Sequence, residues 1–165
     1  MGVKGTHIAT HFRRDERGAA LVEFAIALPL VLVVFATIVE GSRLFWSYQA
    51  TVAGVRDAAR YVARVAATDS CSPEASFAGY KEDVELIVRN AMAQNSLFPS
   101  GVLVSDVEPE LVCVDGDFRI SPAPVAQVTA TLAVTFPFAG VFALVGSSLG
   151  SITTTVTDQS RVFGS

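Results

Sequence analysis

Gly18 closes a short basic leader, and five residues later Glu23 sits inside an apolar run. From Ala19 to Val39 it is the only charge in 21 residues. An ionisable side chain in such a run is costly and by default functional, as the partner of another charge. The bland alternative is a carboxylate that stays wet at the membrane edge. Other residues offer chemistry less convincingly. Ser147 and Ser148 lie in GSSLG (Gly146 to Gly150), which fits the G-x-S-x-G nucleophile pattern. That pattern needs a strand-to-helix elbow and a histidine. The only histidines, His7 and His11, lie in the leader, across the expected span. A catalytic triad is therefore not expected, and a histidine-ligated metal site beyond the span is excluded. Asp115-Gly116-Asp117 lacks the further ligand spacing of a calcium loop and reads as a turn. There is no phosphate-binding or dinucleotide glycine motif. No catalytic residue, cofactor or metal is expected.

The element that must position Glu23 is the apolar run. At about 1.5 Å per residue it spans roughly 31 Å as a helix, matching a hydrocarbon core of about 30 Å. It is long for the apolar part of a removable signal, and no small-x-small cleavage site follows it. Lys4, Arg13, Arg14 and Arg17 precede it, while Arg43 and Arg56 follow. This bias predicts a cytoplasmic N terminus and an exported remainder. Trp46 and Tyr48 fall just beyond the span, where aromatic rings suit the outer interface.

The expected organisation has four parts: a cytoplasmic leader (1–18), a transmembrane helix (19–40), its amphipathic extension (41–67) and an exported domain (68–165). Pro29 is a site for a kink that membrane helices tolerate. Beyond the span, Leu44, Tyr48, Val52, Val55, Ala59, Val62 and Ala66 recur at helical spacing. One helix to about Ala67 would be roughly 70 Å long. A second helix is expected from about Tyr80 to Asn95, with Val84, Ile87, Val88 and Met92 on its apolar face.

The rest reads as strands. Asp115-Gly116 predicts a tight hairpin between Val112–Val114 and Phe118–Ile120. Ala126, Val128, Ala130, Leu132, Val134 and Phe136 alternate with Gln127, Thr129, Thr131 and Thr135, giving a strand with one wet face. Phe136 to Gly150 is apolar but interrupted by Pro137, Gly140 and Gly146; a turn and a short buried helix are expected. Ile152 to Thr157 gives a last strand. The fold class is α+β: a long N-terminal helix packed on a small, mainly antiparallel sheet with one further helix.

Composition excludes some partners. Net charge is −4, and without residues 1–18 the balance is 8 basic against 14 acidic residues. Nucleic acid needs a basic surface and is not expected. Arg56, Arg60 and Arg64 form a stripe at i, i+4 spacing, either a docking face for acidic partners or a solvated face. Cys71 and Cys113 both follow the span; an even count in an oxidising compartment suggests one disulfide, with two buried free thiols as the alternative.

The stretch from Arg17 to Ala63 resembles the TadE-like family, minor pilins or pseudopilins of the tight-adherence Flp pilus machinery. The residues that carry the resemblance are Gly18-Ala19-Ala20-Leu21-Val22-Glu23-Phe24-Ala25, Leu28-Pro29, Glu40-Gly41-Ser42-Arg43 and Ala58-Ala59-Arg60-Tyr61. It covers about 45 residues and fades in the β-rich remainder. The resemblance implies a bacterial inner-membrane protein, either held there or incorporated in the pilus. It implies cleavage between Gly18 and Ala19 by a prepilin peptidase, with Glu23 and Phe24 as assembly contacts. The implied partners are that peptidase, other pilin and TadE-like subunits, the inner-membrane assembly platform and the lipid bilayer. A permanently anchored, unprocessed scaffold and a membrane-anchored hydrolase using Ser147 or Ser148 are the rival readings.

Overall fold

The computed structural model describes residues 16–72, 75–95 and 101–164. Most of the expected leader, with His7 and His11, lies outside them. Helix α1 runs Glu16–Val65 without interruption through Pro29. A 3-10 turn, Ala78–Tyr80, leads into α2, Lys81–Asn95. Strand β1 is Val102–Val114 and β2 is Ala123–Thr135. The five-residue helix α3, Ala139–Ala143, precedes β3, Ser151–Arg161. The three strands form one antiparallel sheet in the order β1-β2-β3. The fold is α+β, with α1 across β2 and β3, and α2 packed on α1 and β1.

β2 is the centre, and its alternation explains why. Ala126, Val128, Ala130, Leu132 and Val134 are each fully buried, and Phe136 just beyond the strand nearly so. The opposite face stays wet and bonds across the strands. Gln127 Nε2 donates to Glu110 Oε2 at 2.8 Å, and the Thr129 and Thr157 hydroxyls lie 2.9 Å apart. Pro109 is accommodated because β1 is an edge strand.

α1 buries small residues on this sheet: Ala58, Ala59, Ala63 and Ala66, with Val55 and Val62 between them. Small side chains let the backbones approach. The limit is Gly54, where an added Cβ would stand 3.0 Å from Ala91 Cβ and 3.1 Å from Val88 Cα. Tyr61 Oη donates to Asp83 Oδ2 at 3.0 Å, joining α1 to α2 outside the core.

Several expectations need correction. The tight hairpin at Asp115-Gly116 is absent, and Phe118–Ile120 is not a strand. Val114 instead pairs with Ala123, and residues 115–122 form the connection. A register of twelve pairs between β1 and β2 outweighs the three pairs that a tight turn would give. Val112–Val114 is the end of the longer strand β1, which carries a register shift between Val104 and Asp106. α3 has no fully buried residue: Ala139, Val141 and Phe142 are half-buried and Gly140 and Ala143 exposed, so the expected buried helix is only partly covered. Along α1, the expected apolar face is displaced near the span. Tyr48 is exposed and Leu44 and Val52 only partly covered, while Glu40, Arg43, Ser47 and Thr51 are buried. Polar groups tolerate that position because they bond one another: Thr51 Oγ1 donates to the Ser47 carbonyl at 2.9 Å and lies 3.0 Å from Met92 Sδ.

Candidate functional site

The first half of α1 leaves the rest of the fold. From Gly18 to Leu32 every residue is exposed, and Ala36, 1% exposed, is the first buried one. The free segment from Gly18 to Phe35 is about 27 Å long. Its exposed side chains include Leu21, Phe24, Ile26, Leu30 and Phe35. A helix that is apolar all round must be covered by lipid or by other helices. This is the one helix among the described residues long and apolar enough to cross a membrane.

Gly18, Ala19, Glu23 and Phe24 all lie on this free segment, and none touches the sheet. No atom lies within 4 Å of where a Cβ on Gly18 would stand. The axial rise from Glu23 to Ala36 is about 20 Å, which sets the carboxylate well away from the described residues of the sheet domain. The structure thus brings these four together along one helix end and leaves them open to another molecule.

At the base of the segment the helix is clamped. Arg43 Nη1 donates to Glu40 Oε2 at 2.7 Å, with both side chains almost completely buried. Glu40 Oε1 accepts the backbone N–H of Phe138 at 2.8 Å, just before α3. The Phe35 and Phe138 rings meet edge to face at 6.4 Å. The guanidinium also reaches the turn before β1: Arg43 Nη2 lies 3.5 Å from where a Cβ on Gly101 would stand. Gly101 has φ +80°, a backbone that suits glycine. One buried ion pair therefore connects α1 to the segment after β2 and lies beside the turn that enters β1. Between α1 and α3 a cleft of about 280 Å³ opens, lined by Thr37, Leu44, Phe136, Phe142 and Leu149 among others.

Sequence reasoning gave Glu40 and Arg43 no role beyond marking a motif. Their signal was an opposite-charge pair at i, i+3 directly after the apolar run, which reads equally well as a solvated boundary. What decides between these is the chain returning at Phe138, distant in sequence.

The remaining candidates lie elsewhere. Cys71 and Cys113 are joined, with Cα atoms 5.9 Å apart, tying the segment after α1 to the end of β1. Of the arginine stripe, all three members are exposed, and Arg56 Nε donates to Asp158 Oδ2 at 3.2 Å. Ser147 and Ser148 lie in the irregular stretch that enters β3, not at a strand-to-helix elbow. Asp115 and Asp117 sit on the exposed connection between β1 and β2. Among the described residues, no cluster of three or more His, Cys, Asp or Glu could hold a metal ion.

This geometry, a free apolar helix with one carboxylate near its start and a sheet domain clamped to its other half, makes α1 a candidate single-pass membrane anchor. No curated protein and no solved structure matches the chain. The model of one family, described as TadE-like protein, matches residues 18–60, from the open end of α1 through the clamp to its packed half. Over residues 18–60 the chain is similar to the TadE-like proteins, and a segment of that kind implies a role in the Tad pilus system.

Proposed function

We propose that the chain is a minor pilin or pseudopilin of the Flp pilus, with a structural and not a catalytic role. Its N-terminal helix first anchors it in the bacterial inner membrane, with the sheet domain exported to the periplasm. After a prepilin peptidase cuts between Gly18 and Ala19, the same helix packs among other pilin and TadE-like helices on the assembly platform. The observation that carries this reading is the free apolar half of α1, with Glu23 at the fifth position after Gly18.

The physical logic follows from charge. Cleavage leaves a positive α-amine on Ala19. In a staggered bundle of identical or related helices, Glu23 of one subunit meets the amine of its neighbour. Pairing makes two charges in a low-dielectric setting far cheaper than either alone. Phe24, beside Glu23 and 62% exposed, offers the adjoining apolar contact. The clamp at Glu40 and Arg43 adds stiffness, so that motion or load on the helix passes to the sheet domain.

Glu23→Ala tests the proposal when scored separately for membrane level, leader removal and co-purification with pilin components. The expected result is lost partners at normal level and processing. Normal partner recovery would refute the assembly role. Sequencing the N terminus of the purified wild-type chain supplies the second readout: Ala19 is expected, and an intact Met1 would make the protein an unprocessed anchor instead.

A further inference from the structure

The segment that Glu40 holds is itself apolar and exposed. Leu144, Val145 and Leu149 are 65%, 62% and 52% exposed. They belong to the connection from β2 to β3, which includes α3. From Ile120 to Thr157 the chain has no charged residue at all. The connection itself, residues 136–150, lies inside this stretch and carries no charge, and three large aliphatic side chains at least half exposed on one uncharged connection call for cover.

Its position says what the cover is. The connection meets α1 at Phe35, through the ring of Phe138, and at Glu40, through the Phe138 N–H. Phe35 still belongs to the free apolar half of the helix. With Ala19 at one edge of the hydrocarbon, Phe35 lies about 24 Å further along the axis, within the last turns of a core about 30 Å thick. The patch is therefore fixed at the height where the helix leaves the bilayer. The acidic residues of the connection at the other end of the sheet, Asp115 and Asp117, lie far from that level.

We propose that the β2–β3 connection is a membrane-contact surface, with Leu144, Val145 and Leu149 seated in the lipid interface beside α1. This rests on the anchoring half of the proposed function, and it adds a second point of lipid contact to the single helix. Two contacts restrict the tilt and rotation of the sheet domain on the membrane. Glu40 and Arg43 then act as the joint that holds this apolar foot against the helix.

The full chain, reconstituted in vesicles of phosphatidylcholine and phosphatidylglycerol, allows a direct test. The native cysteines are paired, so a single added cysteine can be labelled selectively. An environment-sensitive fluorophore would be placed on Val145→Cys, and in separate samples on Leu144→Cys, Ile26→Cys and Asp117→Cys. Quenching by nitroxide-bearing lipid is compared with quenching by aqueous iodide. The expected result is strong lipid quenching and weak iodide quenching at positions 144 and 145, with the reverse at 117. If position 26 is quenched by lipid while 144 and 145 behave like 117, the foot is wrong and the anchor stands. Protection of 144 and 145 from both quenchers would mean protein cover and would equally overturn the proposal. Absence of lipid quenching at 26 would overturn the anchor and the foot together.

Discussion

Replacing Glu40 by alanine should unfasten the domain from its helix. The carboxylate accepts two charge-bearing or backbone donors, from Arg43 at 2.7 Å and from Phe138 at 2.8 Å. Both ionic side chains are about 5% exposed, so water cannot replace a lost partner. Breaking a buried pair from one side costs about 3–5 kcal/mol, because the remaining charge stays buried. The orphaned Phe138 N–H has its own desolvation cost of about 1–3 kcal/mol, not additive with the first because both act through one side chain. A loss of about 3–5 kcal/mol is the working figure, a large share of a typical stability of about 5–15 kcal/mol. Removing both charges, as Glu40→Leu with Arg43→Leu, should recover most of it, since apolar replacement of a buried pair is often neutral. Trp46 is the only tryptophan and lies on α1 three residues beyond Arg43, on the exposed side of the helix, so its fluorescence in detergent follows a urea titration close to the joint. An unchanged midpoint in Glu40→Ala would refute the reasoning. A double variant as unstable as the single one would show that the loss is not due to an uncompensated charge.

Gly54→Val should destabilise the α1–α2 contact by about 1–3 kcal/mol, because its Cβ would press on Val88 backbone and Ala91 at 3.0–3.1 Å; the same titration measures it. Cys113→Ser opens a loop with a sequence separation of 42, worth at most about 4 kcal/mol in the chain-entropy model. The check is a lowered urea midpoint without reductant, with wild type falling to match once reduced. Lys81 bonds Asp106 and Glu108 across α2 and β1 at 3.3 Å each, and Asp106 foremost holds its ammonium above the ordinary lysine range. A raised folded-state value means stability present below the unfolded pKa and lost as pH rises through the folded one. Lys81→Met should therefore lower stability modestly at neutral pH, and the gap to wild type should close in strongly alkaline urea titrations.

The sequence made some features legible and hid others for physical reasons. β2 was readable because a half-buried strand writes its period of two in Ala, Val and Leu against Thr and Gln. The free half of α1 was readable because lipid or helix cover demands unbroken apolarity. The clamp was not, because polar residues are ordinarily read as solvated, and Glu40 and Arg43 are buried only by a chain that returns at Phe138. The same competition hid the end of β1: Asp115-Gly116 is a sound local turn signal, overridden by the long register with β2. The exposure of Leu144, Val145 and Leu149 was equally hidden, since an apolar segment says that it wants cover and not which cover it finds. Gly18, Ala19, Glu23 and Phe24 were singled out by spacing and resemblance, and the structure adds that all four are exposed, with none of the three strands touching them.

The central claim is that the free half of α1 packs against other subunits at the level of Glu23. A photo-crosslinking amino acid at Phe24, in cells that express the whole pilus system, reads this contact directly. The account predicts discrete adducts with proteins that carry pilin-like N-terminal helices, and their disappearance when Glu23 is also replaced by alanine. Adducts to lipid alone, at normal protein level, would contradict it.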